Sequence, residues 1–130
     1  MPNYNCVLIE TNGDVRAVEG DFSYVANQPD DPSLGVLIGS HHVVFGNNGA
    51  VGEFSAEIDR DVIVLYGKDN EGEEDNDLAS YFSDPRTVYG KALVVGCGRN
   101  DLYEPLTLAE VKAAIAYLEE WFGAEDVTGW

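Results

Sequence analysis

Apolar residues fall along this chain in short runs, and only near the end do they settle into a helical rhythm. Tyr4 to Thr11 holds the continuous run Cys6-Val7-Leu8-Ile9, which predicts a well-covered strand. Asn12-Gly13 follows, a pair that tolerates the positive φ of a tight turn, so Asp14 to Glu19 is expected to return as the second strand of a hairpin. Val15 and Ala17, with Glu19, would share one face, and Arg16 and Val18 the other. Asp21 to Asn27 reads as a short helical turn capped by Asp21, with Phe22 and Val25 on one side. Gln28 to Ser33, with two prolines and two aspartates, reads as a loop.

A second β region is expected at Leu34 to Ile38, His42 to Phe45, Val51 to Ser55 and Asp61 to Tyr66, punctuated by Gly39-Ser40, Gly46-Asn47-Asn48-Gly49 and Asp59-Arg60. Asp61-Val-Ile-Val-Leu-Tyr66 is the best central strand, because an almost wholly apolar, β-branched run needs cover on both faces. Asp69 to Asp77 carries Asp69, Glu71, Glu73, Glu74, Asp75 and Asp77 with no basic residue, and reads as a solvated, mobile loop. Leu78 to Phe82 resumes a helical turn that Asp84-Pro85 stops, and Val88 to Gly96 gives a last strand.

The C-terminal helix has the fullest set of signals. Thr107 to Glu110 forms a capping box, with Leu106 placed to staple onto Val111. Leu108, Val111, Ile115, Leu118 and Phe122 recur at spacings of three and four as one buried stripe, and Gly123 ends the helix. Glu119 and Glu120 stand near the negative end of its dipole, which does not favour them. With no internal repeat and no Gly/Ser linker, residues 1–130 are expected to form a single α+β domain, a mostly antiparallel sheet of short strands packed by a C-terminal amphipathic helix.

Charge changes the picture more than any motif. The sequence has 24 Asp and Glu against 7 Lys and Arg, a formal net charge of -17. Such a field repels nucleic acid and anionic membranes, so neither is expected as a partner. It keeps the protein soluble, as in halophilic adaptation, or it meets a basic protein, speeding encounter in a salt-dependent way. Cys6 and Cys97 read as small buried hydrophobes of a reduced chain. The start of the chain has no basic segment and no run is long enough to span a bilayer, so a cytoplasmic location is expected.

Candidate chemistry thins on inspection. His41 and His42 would point to opposite strand faces and have no third histidine nearby, so no metal site is expected. Counted from Asp69, the sixth and twelfth positions of a calcium loop are Glu74 and Ser80 instead of Gly and Glu. Gly96-Cys97-Gly98-Arg99-Asn100 lacks the third glycine of a dinucleotide fingerprint and the Gly-Lys-Ser/Thr of a P-loop. No Gly-x-Ser-x-Gly elbow is present and neither cysteine has a histidine close in sequence, so neither catalytic residues nor a cofactor is expected.

Val43 to Gly49, Val88 to Gly96 and the helix start Leu106 to Glu110, taken together with the N-terminal hairpin, resemble a small family known only as a domain of unknown function, found in phages, plasmids, bacteria and archaea. The chain departs from it at Phe54 to Arg60, where that family tends to have Leu-Pro-x-Asn-Arg. The resemblance implies an accessory protein of a mobile element and brings no catalytic residues. In that setting Asp69, Glu71, Glu73, Glu74, Asp75, Asp77, Glu119 and Glu120 are candidates for contact with a basic host protein, imitating the phosphates of DNA as an inhibitor would. Trp130 is a further candidate contact, with packing onto its own domain or a homodimer as the alternatives. Arg99, Tyr89 and Tyr103, with Arg86 and Lys91, are the candidates for a second reading, a module that sequesters a nucleotide or other small ligand.

Overall fold

Residues 4–21, 34–38, 41–45, 47–52, 58, 61–66, 74–82, 88–98 and 103–126 are described by the computed structural model. Asp69, Glu71, Glu73, Arg86, Arg99 and Trp130 lie outside them, as do the expected helical turn over 22–27 and the loop at 28–33.

The chain runs β1 (Cys6–Ile9), β2 (Asp14–Val18), β3 (Gly20–Asp21), β4 (Leu34–Ile38), β5 (His41–Phe45), β6 (Asn47–Gly52), β7 (Val62–Tyr66), α1 (Asp77–Phe82), β8 (Ala92–Cys97), β9 (Tyr103–Glu104), α2 (Leu108–Phe122) and β10 (Glu125–Asp126). One sheet has the order β10-β2-β1-β8-β7-β6, with β9 joined to the far end of β8, and a smaller sheet has the order β3-β4-β5. Every pairing is antiparallel except β10 with β2. This is the α+β class expected, an antiparallel sheet of short strands with a C-terminal helix.

The apolar runs of β1, β7 and β8 are explained by cover on both faces. Val7, Ile9, Val64 and Val94 face α2 and pack with Leu106, Val111, Ile115 and Leu118. Their strand neighbours Leu8, Ile63, Leu65 and Leu93 face the other way and pack with Val36 and Phe45 of the small sheet. Alternation along each strand therefore supplies two cores from one run of residues.

The two sheets are tied at their corners by continuous sequence. Only Glu19 separates β2 from β3, and only Gly46 separates β5 from β6, so the chain crosses from one sheet to the other twice. Asn5 secures the first crossing: its Nδ2 donates to the Gly20 carbonyl at 3.2 Å, and its Oδ1 accepts from the Gly20 amide at 2.7 Å. An amide side chain here replaces the ladder bonds lost as the strand bends. Asp21, expected to cap a helix, instead ends β3 opposite Gly35.

Three further expectations shift. The strand expected from Val88 begins at Ala92, because Gly90 adopts φ 73° and breaks the extended run, and it is not the last, since β9 and β10 follow it. Asn47 to Gly49 belongs to β6 and not to a turn, and an irregularity in the pairing between Asn48 and Val51 takes up the mismatch. Leu108 is 46% exposed, since it stands in the first turn beyond the edge of the core, whereas Val111, Ile115 and Leu118 are buried as expected. The capping box forms as read: Glu110 N–H donates to Thr107 Oγ1 at 3.1 Å and Thr107 N–H to Glu110 Oε1 at 2.9 Å. Gly123 closes the helix in the left-handed conformation, with φ 67°. No helix among the described residues is long and apolar enough to cross a membrane.

Candidate functional site

A fully buried asparagine builds the part of the surface that holds the described acids. Asn76 lies between Asp75 and Asp77, is 0% exposed, and donates from Nδ2 to the carbonyls of Ile9 at 3.0 Å and Gly90 at 2.8 Å. Its Oδ1 accepts from Ala79 N–H at 3.1 Å, and its own amide donates to Val88 at 2.8 Å. One side chain thus joins β1, the start of α1 and the segment before β8, and every polar group it buries is satisfied. Ser80 adds a second tie, its Oγ accepting from Val88 N–H at 2.7 Å.

That tie sets the acids on either side outward. Glu74, Asp75 and Asp77 are all exposed, and Asp75 forms an isolated bridge with Tyr89. The segment from 74 onward is therefore built into the fold, where the sequence reads as the tail of a solvated loop. The signal missed was a single amide inside a run of carboxylates.

A second acidic group reaches the same end of the molecule from the other direction. After Gly123, Glu125 N–H donates to the Gly13 carbonyl at 3.1 Å, and β10 lies parallel to β2 with Glu125 opposite Asp14 and Asp126 opposite Val15. Like charges set directly across a strand pair oppose folding, so Glu125 beside Asp14 costs stability. Glu119 and Glu120, both exposed, stand on the last turns of α2, which carry no basic residue. Between the hairpin turn, the start of α1 and the end of α2 lies a cleft of about 330 Å³, lined by Thr11, Asn12, Gly13, Asp77, Leu78, Gly123 and Ala124.

Two of the described cations are committed to another carboxylate. Arg16 and Lys91 both turn to Glu10, at 3.5 and 3.6 Å, leaving the Arg16 Nε buried without a hydrogen-bond partner. Glu10 follows Leu8 by two residues, so this cluster projects on the face of the small sheet, opposite α1 and α2. Among the described residues, no group of three or more His, Cys, Asp or Glu is arranged to hold a metal ion.

Of the residues singled out in the sequence, Glu74, Asp75, Asp77, Glu119 and Glu120 are thus placed on one end of the fold. Tyr89 and Tyr103 are not brought together. Tyr89 precedes β8 beside Asp75, whereas Tyr103 pairs with Cys97 at the other end of that strand, roughly 20 Å away at about 3.3 Å per residue. Tyr103 is 8% exposed and packs in the core between the two sheets.

Both cysteines are free. Cys6 is wholly buried, and loss of solvent pushes its thiol from 9.0 up to about 12, against a smaller opposing pull from the Gly20 backbone. The folded state therefore favours the protonated thiol, a contribution fully present below pH 9 and lost as the pH rises from there through about 12. At pH 8 the half-buried Cys97 should be alkylated by iodoacetamide well before Cys6, as read by mass spectrometry of the intact chain and its peptides. Equal rates would contradict this burial.

No family model, no curated protein and no solved structure matches the chain.

Proposed function

We propose that this chain is a non-catalytic accessory protein that acts in the cytoplasm by binding a basic protein, with its carboxylates occupying the place that nucleic-acid phosphates would take. The observation that carries this reading is the gathering of Glu74, Asp75, Asp77, Glu119, Glu120 and Glu125 at one end of a chain with net charge -17, while Arg16 and Lys91 are turned to Glu10 on the other face. Repulsion among these groups lowers stability, and the opposed Glu125 and Asp14 show the arrangement kept in spite of it. A basic partner would relieve that repulsion on binding, which makes the same charges favourable in the complex. The resemblance to a family of mobile elements supports a host defence or regulatory protein as the target.

Affinity capture from host lysate tests the reading, run at low and moderately high salt with the chain and with a variant whose acids from Asp69 to Asp77 become Asn or Gln. A nucleic-acid-binding protein should be retained at low salt and lost both with added salt and in the variant. Retention of no basic protein would overturn the reading and leave adaptation to salt as the reason for the acidity.

A further inference from the structure

Resting on that reading, we propose that the cleft between the hairpin turn, α1 and the end of α2 is the subsite that receives one arginine side chain of the basic partner. Its walls are of two kinds. Leu78, Ala124 and the two glycines give an apolar passage, and Asp77, Thr11 and Asn12 give a polar one. Arginine has the matching division, an aliphatic stem that gains from apolar cover and a planar cation at its tip.

Asp77 is exposed and accepts no hydrogen bond or ion pair from the described residues. Capping of α1 falls to Asn76, whose Oδ1 takes the Ala79 amide, so the Asp77 carboxylate is free to accept a bidentate guanidinium. A second feature points to a cation independently of any carboxylate. The cleft includes Gly123 and Ala124 at the end of the 15-residue α2; their amides cap the Leu118 carbonyl, and the helix end as a whole carries about half a negative charge.

The same lining argues against a divalent metal. Calcium takes six to eight oxygens and usually several carboxylates, whereas Asp77 is the only carboxylate among the lining residues. About 330 Å³ holds one long side chain or a small ligand, and it is the Asp77 carboxylate that argues against a nucleotide, because it would repel the phosphate.

The test is a titration of the full ¹⁵N-labelled chain with a short arginine-rich peptide, and with the same peptide carrying citrulline, which keeps the shape and removes the charge. The amides of Gly13, Leu78 and Gly123 should shift together with the arginine peptide and not with citrulline. Asp77→Asn should weaken binding roughly tenfold, the size of one charge-assisted hydrogen-bonded pair. Asp61→Asn removes an equal charge at the far end of β8, where the Asp61 carbonyl accepts from Cys97 N–H, and should change affinity less than about twofold. Equal losses in the two variants, or shifts spread over the whole acidic surface, would overturn the subsite while leaving the binding of a basic partner standing. Binding of neither peptide would overturn both, and tighter binding of calcium chloride at the same amides would make the cleft a metal site instead.

Discussion

Asn76→Leu should lower the free energy of folding by about 3 kcal/mol or more, because leaving a buried polar group unpaired costs roughly 1 to 3 kcal/mol and three groups lose their partner at once. These are the carbonyls of Ile9 and Gly90 and the amide of Ala79, all sealed from water around a side chain that is itself 0% exposed. Leucine repeats asparagine's branching at Cγ with bulkier methyl groups, so no cavity is left and crowding adds to the loss of the bonds. Chemical denaturation of parent and variant measures it, and a change under about 1 kcal/mol would show that these bonds are not what holds α1 to the sheet. Asn76→Asp refines the test. It keeps the acceptor for Ala79 but sets an oxygen against two carbonyls, which raises the carboxyl's pKa above its unfolded value. Relative to the parent at each pH, that variant should be least impaired below about pH 4 and lose stability as the pH rises through the raised value.

Phe45→Ala should cost about 3 to 5 kcal/mol, the range for removing a large buried aromatic from a packed core. Phe45 is 1% exposed and lies in the small sheet opposite Leu34, packed with Leu8, Ile63 and Leu93 of the large one. Its removal would strip the small sheet of the larger of its two described buried side chains, the other being Val36. Against a total stability of about 5 to 15 kcal/mol for an ordinary domain, such a loss brings thermal unfolding well below that of the parent. Loss of under about 1 kcal/mol would mean that the small sheet is held by its corners alone. Phe45→Leu keeps much of the apolar volume and should recover about half of the deficit or more.

Much of this fold could be read from residue patterns because the governing interactions are local. Asn12-Gly13 marks the hairpin, Thr107 and Glu110 mark the start of α2, and the unbroken run in β1 signals cover on both faces. What the patterns leave out depends on distant partners. Asn76 bonds to Ile9 across 67 residues, and nothing near it in sequence distinguishes it from the acids around it. Leu108 keeps the helical spacing but falls beyond the core's edge, which only the docking of α2 determines. Tyr103 looks like an available aromatic until β9 closes on β8 and buries it. The acidic end was half legible. Its charges are plain in composition, but the hairpin, α1 and the end of α2 are brought to one cleft only by the tertiary fold.

Competition shows most directly whether the carboxylate surface stands in for nucleic acid. The basic protein retained from lysate, once purified, would be bound to a fluorescent DNA duplex and titrated with this chain at low salt. Displacement of the duplex by the parent, weakened by salt and by amide substitution of Glu74, Asp75, Asp77, Glu119 and Glu120, is the expected result. A ternary complex in which duplex and chain bind together, or displacement unchanged by removing those charges, would contradict it.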